Sequence, residues 1–451
     1  MLFRTVLLAL VLIVSTANAE NHWRRLINES TYGFAANPHN PKSIIVGGFG
    51  RTIYRTDDGG ITWTSYPVDF FGGTSRFSNI LINKSDTNVV LAGGIFGSIV
   101  RSIDGGANWE TVFDPEKPTR FQMSGEALVC DPNDPNTVYT ADNLSNRVFK
   151  SKNAGITWDT ISTFSIPNQQ LCAIAIRPDS ANILFAGATS GLIFKSVDSG
   201  KTWRKTTQLR GFNSTEIPRF IFSPNNPLVA YTIVAYFFYG DRPNGGVYKT
   251  TDGGESWNPT GLKDTSLWTV AMRQFPGAEE VYVGGFAHPT SDSIQYIIYG
   301  SGMVNSSSDG GKTWSAIDKD IPWPAPSTEI HRNVWTMKFV GDSPNTEKLY
   351  MATDAGFFVW DNTSDVSEIP ANDSSTNIYT IGKQMFVSSD EPIVSISLFT
   401  LNGERAFVST LPANEHKGTV TCTLPESLAH GIYYSIIRAS NKIYNRVVLV
   451  E

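Results

Sequence analysis

The chain has 451 residues, a formal net charge of −6, 12% aromatic residues and 17% charged ones, against roughly 25% charged in an average domain. That balance excludes a nucleic-acid surface, which needs clustered Lys and Arg, and three cysteines exclude a disulfide-built scaffold. With 38 glycines beside so many aromatics, the composition predicts a β-rich chain with many turns.

Arg4, the apolar run Val6 to Val14 and the triplet Ala17-Asn18-Ala19 read as a secretory signal peptide over residues 1–19, too short for a membrane span. No Cys follows the cut, so lipid anchoring there is not expected, and the mature chain is expected to be soluble and exported. Trp23 to Ile27 then reads as a β-strand of the kind found later after each repeat, as in Trp109-Glu110-Thr111-Val112.

The pattern Ser/Thr-x-Asp-x-Gly-x-(Thr/Ser/Asn)-Trp now occurs six times. The copies are Thr56-Asp58-Gly60-Thr62-Trp63, Ser102-Asp104-Gly106-Asn108-Trp109, Ser151-Asn153-Gly155-Thr157-Trp158, Ser196-Asp198-Gly200-Thr202-Trp203, Thr250-Asp252-Gly254-Ser256-Trp257 and Ser307-Asp309-Gly311-Thr313-Trp314. Their tryptophans stand 45 to 57 residues apart, near the period of a propeller blade. An Asp or Asn with glycine after it, between two β-forming runs, predicts a hairpin in which the carboxylate accepts turn N–H groups and glycine supplies positive φ. The closing Trp opens the next strand and wedges between sheets. These acidic residues are therefore expected to be hinges rather than catalysts.

Between copies the chain keeps one grammar: a short β-run, a Pro/Asn turn such as Asn37-Pro38-His39-Asn40-Pro41, an aliphatic strand such as Ile44 to Gly48, and a third strand ending in the hinge. Four antiparallel strands per repeat make a blade. A seventh repeat, Leu349 to Ala352 and Gly356 to Trp360, has lost its hinge glycine and Trp, and Trp23 to Ile27 is expected to supply its missing outer strand, so that the ring closes. Cys130 and Cys172 lie in corresponding strands but about 13 Å apart in depth, so three free thiols are expected.

The repeated hinge resembles the Asp-box, or bacterial neuraminidase repeat, of sialidases, sortilin-type receptors, xyloglucanases and a photosystem II assembly factor. The resemblance covers residues 22–363 and implies the fold more than an activity, since families sharing the motif do different things. The expected architecture is all-β: a seven-bladed propeller over 20–364, a polar linker at 365–376, and a small β-sandwich at 377–451. The last part resembles the type A C-terminal sorting domain of type IX secretion, through Leu401-Asn402-Gly403-Glu404-Arg405, Leu428-Ala429-His430-Gly431-Ile432-Tyr433 and Lys442 to Val450. That resemblance implies delivery across an outer membrane and contact with the secretion machinery.

Hinges and Pro/Asn turns share one face of a propeller, so a ligand site is expected on the opposite face, among the loops between strands two and three. Loop aromatics Tyr236, Tyr239, Tyr296 and Tyr299, with Trp268, are candidates for stacking on a sugar or anchoring a protein. Arg76, Arg120, Arg219 and Arg332 are candidates for a carboxylate or phosphate. Carboxylates for acid–base work are Asp354, Glu126, Glu216, Asp241 and Glu329. Asp354 stands in Tyr350-Met351-Ala352-Thr353-Asp354-Ala355-Gly356, similar to a xyloglucanase pattern that carries a catalytic Asp but lacking its Arg; the Arg-Ile-Pro opening of sialidases is not found. No metal ligand set, nucleophile elbow or phosphate loop stands out, and no cofactor is expected. The first expectation is an exported monomeric propeller binding a glycan or cell-surface protein. A glycoside hydrolase is the alternative, and a receptor- or assembly-type propeller holding an acidic protein segment is the third.

Overall fold

The computed structural model describes residues 22–68, 76–95, 98–113, 125–209, 215–236, 245–263, 265–275, 278–286, 302–323, 332–342 and 346–361, and, further on, 377–381, 383–389, 393–399, 405–410, 418–425, 427–428, 431–439 and 443–450. The leader expected at residues 1–19 and the linker at 365–376 lie outside them. Residues 22–361 form one compact unit and the C-terminal residues belong to another.

The first unit is a seven-bladed β-propeller. Blade one is the sheet Thr31–Asn37, Asn40–Gly48, Thr52–Thr56, Thr64–Pro67, in that order from the inner strand outward. Blades two, three, four and six repeat the same four-strand meander, beginning at Arg76–Ile82, Leu128–Cys130, Leu171–Arg177 and Leu267–Phe275. In blade five the inner strand is broken into Thr215–Glu216 and Phe220–Phe222, both paired with Ala230–Tyr236. Blade seven joins Val334–Val340, Lys348–Thr353 and Gly356–Asp361 to the N-terminal strand His22–Ile27. Trp23 pairs with Trp360 and Arg24 with Val359, so the ring is closed by the strand expected to do so.

Each hinge is built by the residues that spell it. In blade one Thr56 Oγ1 donates to Asp58 Oδ1 at 2.7 Å and accepts from Gly60 N at 3.0 Å. Thr62 closes the loop on Asp58 through N at 3.0 Å and Oγ1 at 2.6 Å. Two successive residues then take positive φ, Gly59 at 80° and Gly60 at 90°, a turn that glycine enters without strain. The hinge Trp packs back on the preceding blade: Trp63 meets Phe357 edge-on at 5.8 Å, and Trp158 meets Phe113 at 5.5 Å. Asn153 makes the same turn as the aspartates, accepting from Ser151 Oγ at 3.0 Å and Thr157 N at 2.9 Å.

A feature the sequence reading passed over ties blade to blade. The residue just before the hinge is basic in the first five repeats, and in four of them it reaches the next blade. Arg55 donates to Gly105 O at 2.9 Å, Arg101 to Ala154 O at 3.1 Å and Lys195 to Gly253 O at 2.7 Å. Lys249 pairs with Glu279 at 2.7 Å, and Glu279 also accepts from Tyr231, whose hydroxyl is pushed up in pKa by burial and by that carboxylate. Each stitch satisfies a carbonyl or a charge that would otherwise be buried at the seam.

The C-terminal unit has two antiparallel sheets. One joins Asn377–Ile381, Gln384–Ser389 and Gly418–Thr423; the other runs Arg405–Thr410, Ile393–Phe399, Gly431–Ala439, Ile443–Val450. Met385, Val387, Ile396, Leu398, Cys422 and Ile437 from both sheets share one apolar core. Cys130, Cys172 and Cys422 are free thiols.

Candidate functional site

The hinges fix which face is which. Gly59 N, Gly105 N and Gly253 N donate to Lys42 O, Asn88 O and Leu228 O, each at 2.9 Å, at the starts of second strands. Hinges and Pro/Asn turns therefore occupy one end of the barrel of blades, and the starts of the first strands face the other, the loop face.

On that loop face the inner strands do something irregular. In blades one, two, four, six and seven the pairing slips near the start of the first strand, between Thr31 and Phe34, Arg76 and Asn79, Leu171 and Ala173, Leu267 and Thr269, and Val334 and Thr336. A β-bulge re-aims the side chain it carries. Here the bulges gather Tyr32, Trp268 and Trp335 with Phe286 and Ala235 into one buried cluster drawn from blades one, five, six and seven. Trp268 stacks on Phe286 at 4.8 Å and meets Trp335 edge-on at 5.7 Å; Tyr32 lies 5.5 Å from Trp335. Arg76, from blade two, lays its guanidinium over Tyr32 at 5.3 Å and Trp335 at 5.6 Å.

Asp354 stands in the turn between the second and third strands of blade seven, at the rim of this cluster. Its Oδ1 accepts from Trp335 Nε1 at 2.7 Å and its Oδ2 from Asn333 N at 2.9 Å, while its carbonyl accepts from Ser30 Oγ at 2.8 Å. Burial pushes the carboxyl up to about 6, against the opposing pull of the Trp335 and Asn333 hydrogen bonds and the Arg76 charge. The phenol of Tyr32, buried in the same cluster, is pushed up to about 12. Glu216 pairs across the sheet with Ala235, a member of the aromatic cluster. Cross-strand partners project to the same side of a sheet, so Glu216 lies on the side that carries Ala235. Arg332 lies beside Asn333, half-buried.

Two other candidates go elsewhere. Glu126 and Arg219 lie deep in the central channel, Glu126 Oε2 being 3.3 Å from Arg219 Nε and its Oε1 3.4 Å from Lys338 Nζ. Burial alone would raise the Glu126 carboxyl, but Arg219 and Lys338 together hold it below its ordinary range. Arg219 also donates to Thr269 Oγ1 at 3.0 Å and to Met337 O at 3.3 Å, and Glu126 N donates to Pro218 O at 2.9 Å. Blades three, five, six and seven thus meet across the axis, and Arg219, only 5% exposed, is a cross-brace set apart from the aromatic cluster. On the hinge side of this brace lies a cavity of about 400 Å³ lined by Phe222, Met272, Arg273, Met337, Phe339 and Glu347, among others. Tyr236, expected on a loop, is the last residue of its strand and 2% exposed; its N–H bonds Ser266 Oγ at 3.0 Å, because the strand runs on where a loop was expected. Trp268 is likewise buried, a floor rather than an open platform. Arg120, Asp241, Glu329, Tyr239, Tyr296 and Tyr299 lie outside the described residues.

Tyr32, Phe286 and Trp335 were missed by the sequence reading; aligning the second residue of each inner strand would have shown Tyr32, Phe77, Trp268 and Trp335 in blades one, two, six and seven, but not Phe286, which follows the second strand of blade six. Among the described residues no group of His, Cys, Asp and Glu could hold a metal ion, and no helix is long and apolar enough to cross a membrane.

No protein-family model matches the chain. It is 24% identical over 287 residues to the xyloglucanase Xgh74A of Acetivibrio thermocellus, a match covering 56% of this chain and 32% of that protein. It is 22% identical over 305 residues to a xyloglucanase of a Paenibacillus species, covering 59% of this chain and 28% of the relative. The chain thus matches about a third of the length of these curated relatives. Among solved structures, the GH74 xyloglucanase of Xanthomonas campestris superposes with a TM-score of 0.58 at 13% identity, over 92% of this chain and 67% of that one. YCF48 bound to a D1 peptide gives 0.52 at 17% identity, over 76% and 97%. The protein is a seven-bladed β-propeller similar in fold to GH74 xyloglucanases and to YCF48.

Proposed function

We propose that the protein binds a glycan on its loop face, at the mouth floored by Tyr32, Trp268, Phe286 and Trp335 and edged by Arg76, Asp354 and Glu216. The observation that carries the reading is the grouping of Asp354, bonded to Trp335 Nε1 and Asn333 N, with Arg76 over the Tyr32 and Trp335 rings beside one aromatic cluster; burial pushes the Asp354 carboxyl up to about 6. At mildly acidic pH it is a hydrogen-bond donor, at neutral pH an acceptor, and sugar hydroxyls serve either state. Similarity in sequence to two xyloglucanases supports a carbohydrate ligand. The six hinges, read as Asp-boxes, lie on the opposite face and take no part in binding.

A second reading, glycoside hydrolysis, is favoured by the same relatives and by the raised proton affinity of Asp354, which suits a general acid. Glu216 is then the second carboxylate, on the side of blade five that carries Ala235. Export belongs to both readings and rests on sequence: residues 1–19 as a signal peptide, and residues 377–451 as a sandwich-type sorting domain of type IX secretion. The experiment is a polysaccharide panel read by affinity electrophoresis and by release of reducing ends. Retention of a glycan that is lost in Asp354→Ala, with no reducing ends, supports binding alone. Reducing ends that vanish in both Asp354→Asn and Glu216→Gln establish the hydrolase. No retention and no release on any glycan overturns both.

A further inference from the structure

Resting on the glycan-binding reading, we infer that the sugar taken at this mouth is acidic and that Arg76 receives its carboxylate. Five arginines toward the hinge face are paired. Arg55 pairs with Asp57, Arg101 with Glu110, Arg177 with Asp179, Arg204 with Glu255 and Arg273 with Glu280. Arg76 is different: among the described residues none accepts a hydrogen bond from its guanidinium and none forms an ion pair with it. Its contacts are the two ring faces, Tyr32 at 5.3 Å and Trp335 at 5.6 Å.

The neighbouring carboxylate does not fill the gap: the Arg76 charge acts on Asp354, but no ion pair joins them, and hydrogen bonds from Trp335 Nε1 and Asn333 N hold the group against blade seven. A guanidinium carries five N–H donors in one plane, and ring faces accept none of them as a carboxylate would. That fork matches a carboxylate in bidentate fashion, and a side chain already clamped by two rings gives up little conformational freedom on binding. A neutral sugar would leave most of those donors unmatched. A uronic acid residue seated beside Trp335 and Tyr32 would use them.

The test is calorimetric titration of the full chain with an oligogalacturonate and with the same oligosaccharide after carboxyl reduction. The expected result is binding of the acidic form about tenfold tighter than the reduced one, weakening with added salt for the acidic form alone. Arg76→Met, which keeps cover over the two rings, should lose that tenfold for the acidic ligand and weaken the reduced one by clearly less. Equal affinity for the two forms, or an equal loss for both in Arg76→Met, overturns the inference. Should the variant fail to fold, the comparison of the two ligands on the unaltered protein still decides. Neutral xylogluco-oligosaccharides serve as the control arm: if they bind and the oligogalacturonate does not, the glycan site stands and its acidic preference falls. If no glycan of either kind binds, both fall together.

Discussion

On the hinge face Asp104 sits in solvent and is held down to about 2 by hydrogen bonds from the backbone and side chain of Asn108. On the loop face Asp354, of the same residue type, is enclosed by Trp335, Asn333 and the aromatic cluster and is pushed up to about 6 by burial. Both accept backbone and side-chain hydrogen bonds, so hydrogen bonding does not separate them. Enclosure does: where water still reaches the carboxylate, donors lower its pKa, and where the walls close in, desolvation outweighs the same donors. The hinge carboxylates stabilise the fold as anions, whereas Asp354 is ionised at a cost to stability that the surrounding structure carries. Repetition marks the first kind and singularity the second.

The contrast can be tested at three positions, beginning with the greatest loss. Gly254, in the blade-five hinge, has φ 84°, and a methyl added there would run into the ring of Phe185 on blade four. Gly254→Ala is expected to cost about 3 kcal/mol in denaturant unfolding, with glycan retention intact in the fraction that stays folded. A loss under about 1 kcal/mol would show that the hinges tolerate reshaping and are not what holds blade to blade.

Asp104→Ala removes one solvent-screened hinge anion and should cost up to about 1 kcal/mol at pH 7. The sign of its pH dependence follows from a folded pKa below the unfolded one: the contribution is complete above about 4 and lost as pH falls toward 2. Wild type and variant should therefore converge in stability at the acid end. A difference that persists unchanged at pH 2 would mean the side chain acts by packing and not by charge.

Asp354→Asn is the mildest for stability and the most severe for function. A carboxyl raised in the folded state binds its proton more tightly there than when unfolded, so its ionisation erodes stability as pH climbs from about 4 through 6. The amide cannot ionise and accepts from only one of Trp335 Nε1 and Asn333 N, so the variant should carry a small loss near pH 4 that shrinks or reverses by pH 7, and lose glycan retention. Chemical denaturation at the two pH values reads this directly; a variant less stable at pH 7 than at pH 4 relative to wild type would reassign Asp354 to the structural class.

What could be read from the residues alone follows the same division. The six hinges and the closing strand were legible because a turn is a local affair: Asp58, Gly60 and Trp63 lie within one hairpin and carry its geometry in their order. The mouth was legible only in part. Asp354 and Arg76 could be picked out as candidates, but their meeting place depends on bulges in separate inner strands, and a slip of pairing leaves no fixed residue type behind it. Glu126 and Arg219 looked like the same kind of candidate. Which of the two sites they joined was decided by the broken inner strand of blade five, which sends Pro218 and Arg219 into the axis.

The pairing of His22 with Asp361 puts the first strand of the propeller and the last in one sheet. Whatever emerges first from the ribosome or a translocation pore must therefore wait, with an unsatisfied ladder of N–H and C=O groups, until more than three hundred further residues have followed it. Such a long-range partner makes the last step of assembly the slowest, and until then the leading segment offers itself to any other strand it meets. A cell that makes this protein has reason to keep that segment occupied by a chaperone until its distant mate arrives.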